Sequence, residues 1–121
     1  MSQSAACILI VDDNPALRRL LALTLRLSGY EVCEAGNGQE AFLVMEDKFP
    51  DVIVLDLQMP VMDGRTFFWR LAERPQRPPV IILSAYGAKT AYDELWAERF
   101  LTKPFEPQAL VREVKMLLLS P

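Results

Sequence analysis

Asp12 and Asp13 directly follow the short apolar run CILIV (7–11), Asp56 closes DVIVLD (51–56), Ser84 lies in VIILSA (80–85) and Lys103 closes RFLTK (99–103). Taken singly, each has a plain structural use: acids cap and turn, a hydroxyl suits a loop, and a lysine suits a solvated surface. Taken together they suggest a chemistry. Three carboxylates brought close repel one another unless a cation sits between them. A hard divalent ion such as Mg2+ takes oxygen ligands and keeps waters, leaving positions open for phosphate oxygens. Aspartate is a nucleophile able to form an acyl phosphate, and a metal beside it neutralises the phosphoryl group in transfer. Lysine adds a positive charge for the phosphate and serine a hydrogen bond, so the set reads as Mg2+-assisted aspartyl phosphorylation.

That chemistry requires elements that bring the five residues together. CILIV predicts a strand, and Asn14-Pro15 supplies a cap and a first turn for a helix over 15–27, with Leu17, Leu20, Leu21, Thr24 and Leu27 at helical spacing. Ser28-Gly29 stops it, Gly29 accepting a left-handed C-cap. EVCEA (31–35) predicts a second strand, followed by a turn at 36–38 and a helix over about 39–47. The run 51–56 is apolar throughout, as in a strand covered on both faces of a parallel sheet. A helix over about 65–73, a strand at 80–85, a helical stretch near 89–98, a strand at 99–103 and a helix over 106–119 complete the pattern. In that last helix Leu110, Val111, Val114, Leu117 and Leu118 share a face. Five strands alternating with five helices predict a doubly wound parallel α/β sheet, with its ligand beyond the carboxyl ends of the strands.

The chain has 121 residues, 51% apolar and 24% charged, which suits one globular domain, 1–121. With 13 basic against 16 acidic residues, the net charge of −3 argues against direct nucleic-acid binding. Histidine is absent, which removes triads, imidazole zinc sites and any phosphohistidine carried by this chain. The first residues, MSQSAACILIV, lack the features of a secretory signal or a membrane span, so a cytoplasmic protein is expected. Cys7 and Cys33 form neither a CxxC pair nor a metal-ligand spacing, so buried reduced thiols are expected. Phe67, Phe68 and Trp69 are consecutive, so at least one must face outward from a helix.

VDDNPALRRLL, VIVLDLQMPVMDG, VIILSAYG and FLTKPF resemble the matching segments of the response-regulator receiver domain of two-component signalling. The resemblance covers nearly the whole chain. It implies a flavodoxin-like sheet in the order 2-1-3-4-5, with Asp56 as phosphoacceptor. It implies Asp13 as a direct Mg2+ ligand, Asp12 acting largely through water and Gln58 contributing its backbone carbonyl, with Mn2+ as a substitute ion. Ser84 matches the family's switch hydroxyl, Lys103 its phosphate-contacting lysine, Phe100 its switch aromatic and Pro104 the residue after a cis bond. Gln58 and Tyr86, two residues after Asp56 and Ser84, match positions that tune the lifetime of the acyl phosphate. The phosphate then comes from a histidine kinase, a histidine phosphotransfer protein or a small donor. Phosphorylation draws Ser84 inward and turns Phe100, changing the surface of the fourth helix, the fifth strand and the last helix. A downstream protein, an output domain of a longer parent chain or a second copy would read that surface; no output domain is expected within 1–121, and no membrane partner.

The sequence departs from the family between Ser84 and Lys103, which is a few residues short, so the fourth helix is expected to be short or irregular. Competing readings are a degenerate receiver that docks partners without phosphorylation and, from another class, a Mg2+-dependent aspartyl phosphatase. The phosphatase would want a second acid two residues past the nucleophile, where Gln58 stands. A flavodoxin-like cofactor protein is disfavoured because Asp12-Asp13 would repel a flavin phosphate. The chain is therefore expected to be a signalling receiver and not an enzyme beyond its own phosphorylation and dephosphorylation.

Overall fold

The computed structural model describes residues 5–58, 64–85 and 97–119. Continuous apolar runs become the centre of the sheet. Strands β1 (Cys7–Val11), β3 (Val52–Asp56) and β4 (Val80–Ser84) are buried along their whole length. The edge strands β2 (Glu31–Ala35) and β5 (Arg99–Thr102) are only partly covered. All pair in parallel in the order β2-β1-β3-β4-β5, as the resemblance implied.

Successive side chains of a strand point to opposite faces, and each face has its own core. Leu9, Val11, Ile53, Leu55, Val80 and Ile82 pack against helices α2 (Gly38–Asp47) and α3 (Gly64–Ala72). Ile8, Ile10, Val52, Val54, Ile81 and Leu83 pack against α1 (Pro15–Leu27) and the last described helix, α4 (Pro107–Leu119). Phe67 is fully buried on α3, its ring centroid 4.7 Å from that of Phe42. Truncation of such a side chain to alanine costs about 4 kcal/mol.

Local signals act as expected. The Asn14 side chain accepts hydrogen bonds from the amides of Ala16 and Leu17, and Asn37 caps α2 by accepting from the Glu40 amide. Gly29 has φ +98°, the left-handed conformation that favours glycine. Phe67 and Phe68 are buried while Trp69 faces outward.

Three expectations need correction. Helix α1 buries Leu21, Ala22 and Leu25, whereas Leu20 and Leu27 are exposed. Leucine occurs on almost every side of this helix, so spacing alone left its rotation ambiguous. Cys33 is only half-buried, because β2 is an edge strand; both thiols are free. Among the described residues there are four helices, not five. The expected helix over 89–98, its predicted irregularity included, falls mostly on residues 86–96, which lie outside the described residues, and Ala97 and Glu98 are not helical. Arg77 and Glu98 meet just before β4 and β5, with Nη1 to Oε1 at 2.9 Å and Nη2 to Oε2 at 2.7 Å. Glu98 Oε1 also accepts from the Val80 amide at 2.7 Å.

Candidate functional site

Strand register brings the candidate residues to one edge. Val11 pairs with Leu55, so Asp12 comes level with Asp56; Asp56 pairs with Leu83 and Ser84 with Thr102, which sets Ser84 and Lys103 beside them. Bonds beyond the strands continue the ladder: the Leu57 amide donates to Leu83 O at 3.1 Å and the Lys103 amide to Ser84 O at 2.8 Å. The Lys103–Pro104 peptide is cis.

Asp12, Asp56 and Ser84 are buried polar residues in an otherwise apolar interior, while Asp13 is exposed at the rim. Carboxylate oxygens of Asp12, Asp13 and Asp56 all lie within 4.8 Å of one another. Lys103 Nζ stands 3.5 Å from Asp56 Oδ1 and 3.6 Å from Asp12 Oδ2. The Gln58 amide donates to Asp56 Oδ1 at 3.2 Å, and the Asn14 amide to Asp12 Oδ1 at 2.9 Å. Burial pushes the Asp56 carboxyl up to about 6, and the Asp12 charge adds to the rise; the Gln58 amide and Lys103 pull against it.

This arrangement fits a hard divalent cation. Asp12 Oδ2 is buried with no hydrogen-bond partner among the described residues, and Lys103, still short of hydrogen-bond distance, does not supply one. A buried carboxylate oxygen left so is costly unless a cation can meet it. The donors are all oxygens, and exposed Asp13 keeps the group open to water, as Mg2+ requires.

Phe100 is half-buried on β5 and packs against the core that α2 and α3 cover. Gln58 is exposed beside Asp56. Tyr86 lies outside the described residues. An apolar cavity of about 380 Å³ lined by Leu17, Ala85, Lys103, Pro104 and Phe105 opens next to the lysine.

Two residues at this edge were not singled out from the sequence. Gly64 opens α3 against β3, where a Cβ would fall 2.5 Å from Leu57 Cα and 2.6 Å from Asp56 O. In the sequence Gly64 is only the last residue of VIVLDLQMPVMDG, although a glycine ahead of a helix can mark a close backbone approach. Arg18 Nη1 donates to Asp12 O at 2.7 Å; in the sequence it is one of two adjacent arginines with nothing to set it apart.

Comparison with known proteins agrees with this geometry. Residues 8–115 match the family described as the response regulator receiver domain. Transcriptional regulatory protein SrrA of Staphylococcus aureus is 44% identical over 115 residues, covering 92% of this chain and 47% of the relative. The chain spans about half the length of the curated relatives it matches. Among solved structures, chemotaxis protein CheY4 of Vibrio cholerae is 31% identical with a TM-score of 0.83, over 94% of this chain and 99% of that one. Response regulator protein TrrA of Thermotoga maritima, solved in complex with Mg2+ and BeF, is 32% identical with a TM-score of 0.82, over 93% and 98%. No helix among the described residues is long and apolar enough to cross a membrane. The fold is thus shared with response regulator proteins, and the chain, matched over residues 8–115, belongs to the response regulator receiver domain family.

Proposed function

We propose that Asp56 accepts a phosphoryl group from a histidine kinase, a histidine phosphotransfer protein or a small phosphodonor, and that this changes the surface a partner reads. The observation that carries the reading is the buried Asp56 carboxylate with Lys103 Nζ at 3.5 Å and the oxygens of two further acids within 4.8 Å. An Asp56 oxygen attacks phosphorus and the new O–P bond forms as the N–P bond of a phosphohistidine breaks. The leaving imidazole nitrogen keeps the electron pair and takes a proton from solvent. Asp12, Asp13, Asp56 and the Gln58 backbone carbonyl would hold Mg2+, or Mn2+ in its place; when bound, the ion neutralises the charge on the transferring group. Lys103 supplies a second positive charge, and the Ser84 hydroxyl a hydrogen bond once phosphate is in place.

The switch follows as a two-state equilibrium. Ser84 and its loop move toward the phosphate, and Phe100 turns into the space released. The surface that changes includes β5 and α4. It would be read by a downstream protein, by an output domain in a longer parent chain or by a second copy in a homodimer. Gln58 borders the phosphoryl group and limits the approach of water, and the resemblance assigns Tyr86 to the tuning of the acyl phosphate's lifetime as well. The chain acts in the cytoplasm, where kinase and phosphodonor meet it.

Incubation with acetyl phosphate and Mg2+ tests the assignment. The protein gains one phosphoryl group by intact mass and Asp56→Asn gains none; labelling that persists in the variant would overturn it. Failure of beryllofluoride with Mg2+ to alter the protein would favour a phosphorylation-independent docking module.

A further inference from the structure

The loop that carries Asp12 and Asp13 is held from below by an ion pair outside the acid group. Arg18 Nη1 donates to the Asp12 carbonyl at 2.7 Å, and its Nε donates to Glu34 Oε1 on β2 at 3.2 Å. Both side chains are largely covered, with 18% and 23% of their surface exposed. The Asp12 amide donates to Ala35 O at 3.1 Å, so the peptides on either side of Asp12 are tied to β2 and α1. We propose that Arg18, set by Glu34, is a positioning residue that tunes the affinity of Asp12 and Asp13 for a divalent cation; this rests on reading the acid group as a Mg2+ site.

The carbonyl that Arg18 holds belongs to the peptide joining Asp12 to Asp13. Fixing its plane fixes the direction in which Asp13 leaves the strand, and Asp13 is the exposed member of the group with the most freedom to swing away. A guanidinium this close to the loop would also repel an incoming cation. Glu34 offsets that charge at short range, while half-exposed Arg26, 3.8 Å from the other Glu34 oxygen, is screened by water. The pair therefore orients the acids with little net field. Partners that orient metal ligands in this way typically change affinity by about tenfold or more when removed.

Calorimetric titration of the whole chain with MgCl2 at low and high ionic strength tests the proposal. Arg18→Met is expected to bind about tenfold more weakly than wild type at both ionic strengths, because geometry is lost. Glu34→Gln keeps an acceptor for Arg18 but uncovers its charge; it is expected to bind about threefold more weakly at low salt and to approach wild type at high salt. Arg18→Lys should recover only part of the loss, since an ammonium lacks the fork that reaches both partners. If wild type itself takes up no Mg2+, the metal reading fails. If wild type binds and Arg18→Met binds equally well, its metal-free melting temperature alone being lower, Arg18 is merely structural and the proposal is overturned. Should Arg18→Met not fold, a Glu34→Gln affinity equal to wild type at low salt overturns it instead.

Discussion

A side-chain carbon on Gly64 would stand 2.6 Å from the backbone oxygen of Asp56, closer than real Cβ contacts come. Helix α3 thus begins flush against the strand end that carries the proposed phosphoacceptor, and the Gly64 amide donates to Leu57 O at 2.9 Å. Gly64→Ala must push either α3 or the Asp56–Leu57 peptide aside. It is expected to lower stability by about 1–3 kcal/mol and to slow labelling by acetyl phosphate. Denaturant melts and labelling rates check this; wild-type values in both would show that the contact gives way without cost.

The Asp56 carboxyl, raised from an ordinary value of 3.8 to about 6 chiefly by burial, makes metal-free stability depend on pH. The folded state holds its proton more tightly than the unfolded chain does. The stabilising contribution is therefore complete below pH 3.8 and lost as pH rises through 6. Without metal, Asp56→Asn should be more stable than wild type at pH 7.5, by on the order of 2 kcal/mol. The advantage should vanish near pH 4, and melts across that range would expose a constant difference if the idea is wrong.

Lys103 faces Asp56 and Asp12 at 3.5 and 3.6 Å, so its loss should be felt through both acids. Lys103→Met is expected to destabilise the metal-free protein at pH 7.5, and to do so less when Asp56 is already asparagine. A double-mutant cycle should return a coupling of about 1 kcal/mol. Additive effects would mean that the lysine and Asp56 do not interact.

Arg77 holds Glu98 with two parallel bonds, a geometry lysine cannot reproduce. Arg77→Lys is expected to cost about 1 kcal/mol in chemical denaturation. Glu98→Ala should cost more, since it also strips the Val80 amide of its acceptor. The reverse order would separate the ion pair from the start of β4.

Where a residue's role follows from its neighbours in the chain, the sequence was sufficient. Asn14, Gly29 and the buried runs 7–11 and 52–56 needed nothing more, because caps, left-handed turns and strands covered on both faces are local patterns. Parallel strands end on one side of a sheet, which is why Asp12, Asp56, Ser84 and Lys103 gather at one edge as expected, while the register that sets them level is seen only in the structure. The contribution of Gly64 was hidden because the backbone it touches, at Asp56 and Leu57, lies several residues earlier in the chain. Arg18 was hidden because its partner Glu34 belongs to another strand, and adjacent Arg19 has the same chemistry but faces solvent. The rotation of α1 failed for a related reason: a helix with leucine on most sides is oriented by what packs on it, and Leu110, Val111 and Val114 of α4 help to form that neighbour.

The three strands that carry the acids and the serine expose no residue to solvent. Substitutions at exposed positions of the outer helices, such as Leu20, Leu43 or Trp69, are therefore expected to alter the surface without touching the groups at the strand ends. The reactive acids and serine thus hang from an inner layer that the exposed faces of α1, α2 and α3 can vary around, so the outside of the molecule is free to diverge while the chemistry within is held in place.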